Sequence, residues 1–350
     1  MTLGFVVPGR LDQITGGYLY DRRVVETLRA QGRTIAVHEL PGRFPDTDAV
    51  ARDAAAALIE QLPDGARLCI DGLALPGFEP SLPAQAGRLA IVVLVHHALS
   101  LETGLGADAA TRYAALEARL LRLCRGVICP SPASAASVRD YGVEPGRIVI
   151  VPPGLDRPAV ASIPRGDGPV RLLSVGTVTP RKGHVLLVEA VAELAALPWR
   201  LTIIGSLERD PATAQQLRAA VARAALQDRI TLAGEYPPGT LGPAYAAADL
   251  FVLPSFYEGY GMVFAEAMAQ GLPILATTGG AIPETVPASA GILVPPGDRA
   301  ALAAALARLI GDEALRRTLG AGAAAAAAAL PDWPATARIF GEALDRLAVT

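Results

Sequence analysis

What the 350-residue chain lacks narrows its role first. It has a single lysine, Lys182, beside 30 arginines, and its 31 basic residues fall short of its 34 acidic ones, leaving a net charge of −3. A nucleic-acid binder usually carries a clear basic excess, so this balance argues against that partner. Cysteine is scarce: Cys69, Cys124 and Cys129 stand in apolar contexts without CxxC spacing, which reads as core packing in a reducing compartment. Apart from the alanine run at 323–329, the longest strongly apolar stretch is 89–95, far short of the ~18 residues of a spanning helix. The opening MTLGFVVPGR has neither the basic start nor the apolar run of a signal peptide. The expected location is therefore cytoplasmic, with peripheral contact at the inner face of a membrane left open. Neither the 35 glycines nor the 29 prolines reach collagen-like or low-complexity levels.

What is present is alternation. Short runs rich in Val, Ile and Leu, near 2–7, 33–39, 67–71, 89–95, 126–129 and 147–151, are separated by helical patterns near 18–30, 47–61, 109–124 and 132–140. Near-continuous apolar strands between helices signal a parallel sheet covered on both faces. After a segment dense in Pro and Gly the pattern restarts, with strands near 170–176, 200–205, 229–232, 250–253 and 273–276. Two α/β domains follow, of a length suited to ~100–200 residues each. In such doubly wound sheets ligands collect at the carboxyl ends of the strands.

The richest segment there is PSFYEGYGMVFAEAMAQGLPIL, residues 254–275. Gly259, Tyr260 and Gly261 precede a helix whose start offers unpaired N–H groups to a phosphate. Glu258 stands before that helix and Glu266, eight residues on, within it; two carboxylates beside an anion site suit ligand hydroxyls. A second segment, SVGTVTPRKGH at 174–184, sets Arg181 and Lys182 just after a strand, where cations would stabilise a diphosphate leaving group.

Together these strings resemble the retaining glycosyltransferases of family 4, with their Glu-Gly-aromatic-Gly to Glu-Ala-Met pattern. The resemblance implies a GT-B architecture of two facing doubly wound, Rossmann-like domains with an interdomain cleft. It divides the chain into an acceptor-binding domain at 1–165, a nucleotide-sugar domain at 166–332 and a terminal helix at 333–350 that packs back on the first. It implies a UDP- or GDP-sugar donor, hexosyl transfer to a hydroxyl of a lipid or glycan, and retention of configuration. Glu258 is assigned to donor sugar hydroxyls and Glu266 to the ribose diol. Arg181, Lys182 and the Gly259–Gly261 amides are assigned to the diphosphate. Gly16 and Gly17, ahead of the first helix, match a Gly-Gly the family places near the donor phosphate and the acceptor. His97 matches the family's strand-end histidine near the transferred sugar, with His96 left as the alternative because neighbouring strand side chains point to opposite faces. Tyr18 and Glu102 are acceptor-side candidates, and Tyr236 lies where the family contacts the base.

No metal or other cofactor is expected: Asp46-Thr-Asp48 opens a helix, where an acidic cap is the ordinary reading. The arginine-rich stretch 111–126 reads as a sheet-covering helix, with rest on an anionic membrane as the alternative. The other functional classes left open are a sugar-nucleotide sensor or subunit without turnover, and a GT-B epimerase or phosphorylase. Acceptor, sugar, nucleotide, linkage and oligomeric state are not legible in the sequence.

Overall fold

The computed structural model describes residues 2–157, 168–237 and 239–349, and the expected domain boundary at 165/166 lies outside them. The chain falls into two compact units, Met1–Gly154 with Pro331–Thr350, and Leu155–Leu330. The first holds β1 (Leu3–Pro8), β2 (Ile35–Leu40), β3 (Arg67–Asp71), β4 (Ala90–Leu94), β5 (Gly126–Cys129) and β6 (Ile148–Ile150). Its helices are α1 (Gly16–Ala30), α2 (Ala49–Gln61), α3 (Leu82–Gln85), α4 (Ala107–Leu123) and α5 (Pro132–Asp140), joined by the chain's last helix, Trp333–Val349. The second holds β7 (Val170–Val175), β8 (Trp199–Ile204), β9 (Ile230–Gly234), β10 (Leu250–Leu253), β11 (Ile274–Thr277) and β12 (Gly291–Val294). Its helices are α6 (His184–Ala192), α7 (Pro211–Arg223), α8 (Gly242–Ala247), α9 (Met262–Ala269), α10 (Ile282–Thr285), α11 (Arg299–Gly311) and α12 (Glu313–Ala328), which makes the last helix α13.

Each unit is one six-stranded parallel sheet, the α/β class expected. In the second unit, alternate strand residues feed two separate cores: Leu172, Leu201, Val252 and Leu275 one face, Leu173, Ile204, Phe251 and Ile274 the other. A sheet buried on both faces has no room for polar strand residues, which is why its strands read as unbroken apolar runs. β12 was not foreseen; its four residues lie between Pro287 and Pro295, too short for a pattern of their own. Asp48 accepts the Ala51 amide as the N-cap of α2.

Strand order fixes where ligands fit. The first sheet runs β2-β1-β3-β4-β5-β6, so its order reverses between β1 and β3; the second runs β12-β11-β10-β7-β8-β9, reversing between β7 and β10. Connections diverge to opposite faces at such a switch point and leave a crevice beyond the carboxyl ends of the strands. Among the described residues, no helix is long and apolar enough to cross a membrane.

Candidate active site

The second unit's switch point gathers Arg181, Lys182 and Glu258. The loop after β7 ends in a 3₁₀ turn, Pro180–Lys182, and Gly183, at φ 69°, then starts α6. The loop after β10 carries Ser255 and Glu258, and the Phe256 amide donates to the Arg181 carbonyl at 2.7 Å, tying the loops together. Lys182 Nζ donates to Glu258 Oε1 at 2.6 Å, as does Ser255 Oγ at 2.6 Å. Arg181 donates to Glu258 Oε2 at 3.1 Å and to the Tyr257 carbonyl at 2.9 Å. Glu258 is only 5% exposed. Burial pulls its pKa upward, but Lys182, Arg181 and the hydrogen bonds outweigh this and hold it at about 2. The cluster of two cations and one carboxylate therefore keeps a net charge of +1, which suits a diphosphate. His184 behind it is buried, and burial with the neighbouring Lys182 lowers its pKa to about 3, so it adds no charge.

From Glu258 the chain runs through Gly259 and half-buried Tyr260 to Gly261, the N-cap of α9. Gly261 is at φ 87°, and a Cβ there would stand 2.5 Å from Phe264, so only glycine makes this turn. Burial raises the Tyr260 hydroxyl to about 12, so it stays a donor. Just over one turn into α9, Glu266 accepts from the buried Tyr245 hydroxyl at 2.7 Å through Oε2. Gly279 and Gly280 serve the same loop from the side. Cβ atoms on them would come 2.2 Å from the Phe256 carbonyl and 2.3 Å from the Glu258 carbonyl, and the Ala281 amide donates to that Glu258 carbonyl at 2.9 Å. Their smallness is explained by this backbone contact.

All but one of the other candidates lie in the first unit. Gly16 and Gly17 open α1, and a Cβ on Gly17 would be 3.2 Å from the His96 ring. Tyr18 is buried and donates to the Pro8 carbonyl. His97 Nε2 lies 3.0 Å from Glu102 Oε2, whereas His96 Nε2 lies 2.9 Å from Asp21 Oδ1. The histidines thus diverge, one toward the following loop and one beneath α1. Tyr236, the exception, belongs to the second unit and is exposed at 36%. Ser255, Tyr245 and Asp71 were not singled out in the sequence. Asp71 could have been, since it closes an apolar strand at its ligand-facing end.

Residues 169–312 match the family model described as Glycosyl transferases group 1, and residues 70–157 the one described as Glycosyltransferase Family 4. The D-inositol 3-phosphate glycosyltransferase of Acidothermus cellulolyticus is 36% identical over 203 residues, covering 53% of this chain and 45% of that protein. Its counterpart in Pseudarthrobacter chlorophenolicus is 35% identical over 237 residues, covering 62% and 55%. The chain spans about half the length of the curated relatives it matches. Among solved structures, sucrose-phosphate synthase from Thermosynechococcus elongatus aligns over 99% of both chains at a TM-score of 0.84 and 24% identity. Anabaena HepE in complex with UDP and glucose aligns over 98% of this chain and 99% of its own at 0.76 and 18% identity. The architecture shared with these proteins is GT-B.

Proposed function

Since the chain belongs to the family 4 glycosyltransferases, we propose that it moves a hexosyl group from a UDP- or GDP-sugar to a hydroxyl of a lipid or saccharide acceptor with retention of configuration. The observation that carries this reading is the convergence of Lys182 and Arg181 on Glu258, beside the α9 turn and eight residues before Glu266. Nucleotide sugars being the donors of the family, and UDP being bound in HepE, each part of the site has a ligand group to meet.

Arg181 and Lys182 take the diphosphate, whose negative charge grows as the anomeric C–O bond breaks; positioned cations matter most at that moment. They supply the positive charge that a divalent ion would otherwise bring, so transfer is proposed to need no metal. Glu258, kept ionised by the same cations, accepts from sugar hydroxyls and leaves Ser255 to orient it. Glu266 reads the ribose diol through the oxygen that Tyr245 does not occupy. The glycosidic bond breaks with its electron pair leaving on the nucleotide diphosphate. The acceptor oxygen attacks from the same face, and its proton passes to the departing phosphate. Gly16 and Gly17 belong with the donor phosphate in this reading, His97 with the transferred sugar, and Tyr18 and Glu102 with the acceptor.

The test is calorimetry with UDP and GDP, then detection of nucleotide released from UDP- and GDP-sugars over a panel of lipid and saccharide acceptors with and without EDTA. Release that survives EDTA, with the product anomer retained by NMR, is expected. Tight nucleotide binding with no release on any acceptor would instead make the chain a sensor. A covalent sugar adduct on a side chain would replace the same-face route with double displacement.

A further inference from the structure

The loop after β4, which carries His97 and Glu102, is held from outside by a carboxylate that the reaction leaves unused. Beyond His97 the chain makes a 3₁₀ turn, Leu99–Leu101, and reaches Glu102, whose Oε2 lies 3.0 Å from His97 Nε2. The first amides of such a turn have no partner within it. Ala98 stands at the N-cap position and has no side-chain oxygen to offer them. Glu117, almost three turns into α4, supplies the cap instead. Its Oε1 accepts the Leu99 amide at 2.9 Å, and its Oε2 accepts the Ser100 amide at 3.4 Å.

Tyr141, just past α5, completes the arrangement. Its hydroxyl lies 2.5 Å from Ser100 Oγ and also hydrogen-bonds the Glu117 carboxyl. A carboxylate can only accept, so the Tyr141 proton goes to Glu117 and the Ser100 hydroxyl donates to Tyr141. Two backbone amides and one hydroxyl thus close on a side chain that is 2% exposed. A carboxylate at such a place is costly, and an apolar residue would pack α4 without that penalty. Burial raises the Glu117 pKa, while the two amides, Tyr141 and the nearby His97 draw it back. What the carboxylate secures is the turn, because an apolar side chain at 117 would leave the amide of buried Leu99 without its acceptor.

We propose that Glu117, seconded by Tyr141, is a positioning residue for transfer: it fixes the turn that holds His97 and Glu102 together beyond the carboxyl end of β4. Neither Glu117 nor Tyr141 is assigned a contact with substrate; both act through the backbone and hydroxyl of the turn. The effect on transfer rests on the glycosyltransferase reading; the hold on the turn does not.

The experiment pairs amide hydrogen exchange on the full chain with steady-state kinetics, comparing wild type with Glu117→Gln and Tyr141→Phe. Glutamine keeps the shape of Glu117 but turns an NH₂ group toward one of the two amides, donor against donor. Glu117→Gln is expected to speed exchange across residues 97–103 by about tenfold or more while β4 keeps its protection. UDP affinity should stay within about twofold, since the Glu258 cluster belongs to the second unit. Over the acceptors that wild type uses, kcat should fall about 10- to 100-fold, the effect of a reacting group slightly misplaced. Tyr141→Phe, which keeps the ring, should reproduce the pattern at smaller size, and it decides alone if Glu117→Gln does not fold. Unchanged exchange across 97–103 overturns the proposal. So does faster exchange with wild-type kcat and acceptor KM, because transfer then ignores the turn. Protection lost throughout the first unit together with UDP affinity also overturns it, by making Glu117 a residue of the fold alone. A wild type that releases no UDP from UDP-glucose with any acceptor overturns the glycosyltransferase reading, while the exchange comparison still decides whether Glu117 holds the turn.

Discussion

At the residue scale the lone lysine is the sharpest feature. Its ammonium reaches Glu258 Oε1, an oxygen it shares with Ser255, and its stem runs along Gly176, where a Cβ would stand 3.4 Å away. A guanidinium keeps the charge but is planar and broad, and it delivers its protons as a fork, not from one point. Lys182→Arg should therefore bind UDP within a few-fold of wild type and lower kcat about 10- to 100-fold, a loss of ~1.4–2.7 kcal/mol in the transition state. Steady-state kinetics with calorimetry would check this; unchanged turnover would make the lysine a compositional accident. This position was legible because its neighbours form a motif. Ser255 and Tyr245 were not: Tyr245 aims its hydroxyl at a carboxylate 21 residues away, which leaves no spacing signal in one sequence, and a serine three residues before Glu258 reads as an ordinary loop residue.

At the scale of elements, patterns that repeat were legible and contacts that do not repeat were not. Buried parallel strands declare themselves as apolar runs, so eleven of the twelve were foreseen near their positions. Gly279 and Gly280 are small because the Phe256 and Glu258 carbonyls lie against them, a contact that no repeat announces. Asp71 ends β3, Asp21 lies in the second turn of α1 and His96 follows β4, with one polar atom from each within 4.8 Å of the others, and only the β1/β3 reversal brings those elements together. The Asp71–Asp21 pair carries a pH consequence for the elements it joins. Asp21 at about 7 and Asp71 at about 8 lie above ordinary carboxylates, so the folded chain binds protons that the unfolded chain releases. Stability from this pair is complete below pH about 4 and is lost as pH rises through about 7 to 8, at up to ~1.4 kcal/mol per pH unit for each proton held. Urea midpoints of the wild type should thus fall from pH about 5 to about 8.5, and Asp71→Asn should flatten that fall. Parallel pH profiles for the two proteins would refute it.

At the scale of the whole molecule, charge and connectivity divide the chain differently. Residues 1–165 carry 17 basic and 17 acidic side chains, while 166–350 carry 14 and 17, so the cationic pair at 181–182 acts locally within a mildly acidic half. The first unit, by contrast, is discontinuous: its core closes only when residues 331–350 return to it. Phe340 of α13 is fully buried against Phe5 and Tyr20, and Trp333 meets Tyr20 edge-on with Arg23 over its ring. Asp345 binds Arg33 and Arg67 from two segments of that unit, and the Thr336 hydroxyl donates to the Pro152 carbonyl. Those ion pairs are partly solvated and contribute little, so the aromatic packing dominates. Phe340→Ala should cost the first unit about 3–5 kcal/mol. The Glu258 cluster and Glu266 belong wholly to the second unit, so UDP affinity should change less than about twofold for sites without shared contacts. Hydrogen exchange should show lost protection in β1, α1 and β4 with β7 and β10 unaffected. A variant that loses UDP affinity and first-unit protection together would show that the donor site depends on the first unit's integrity.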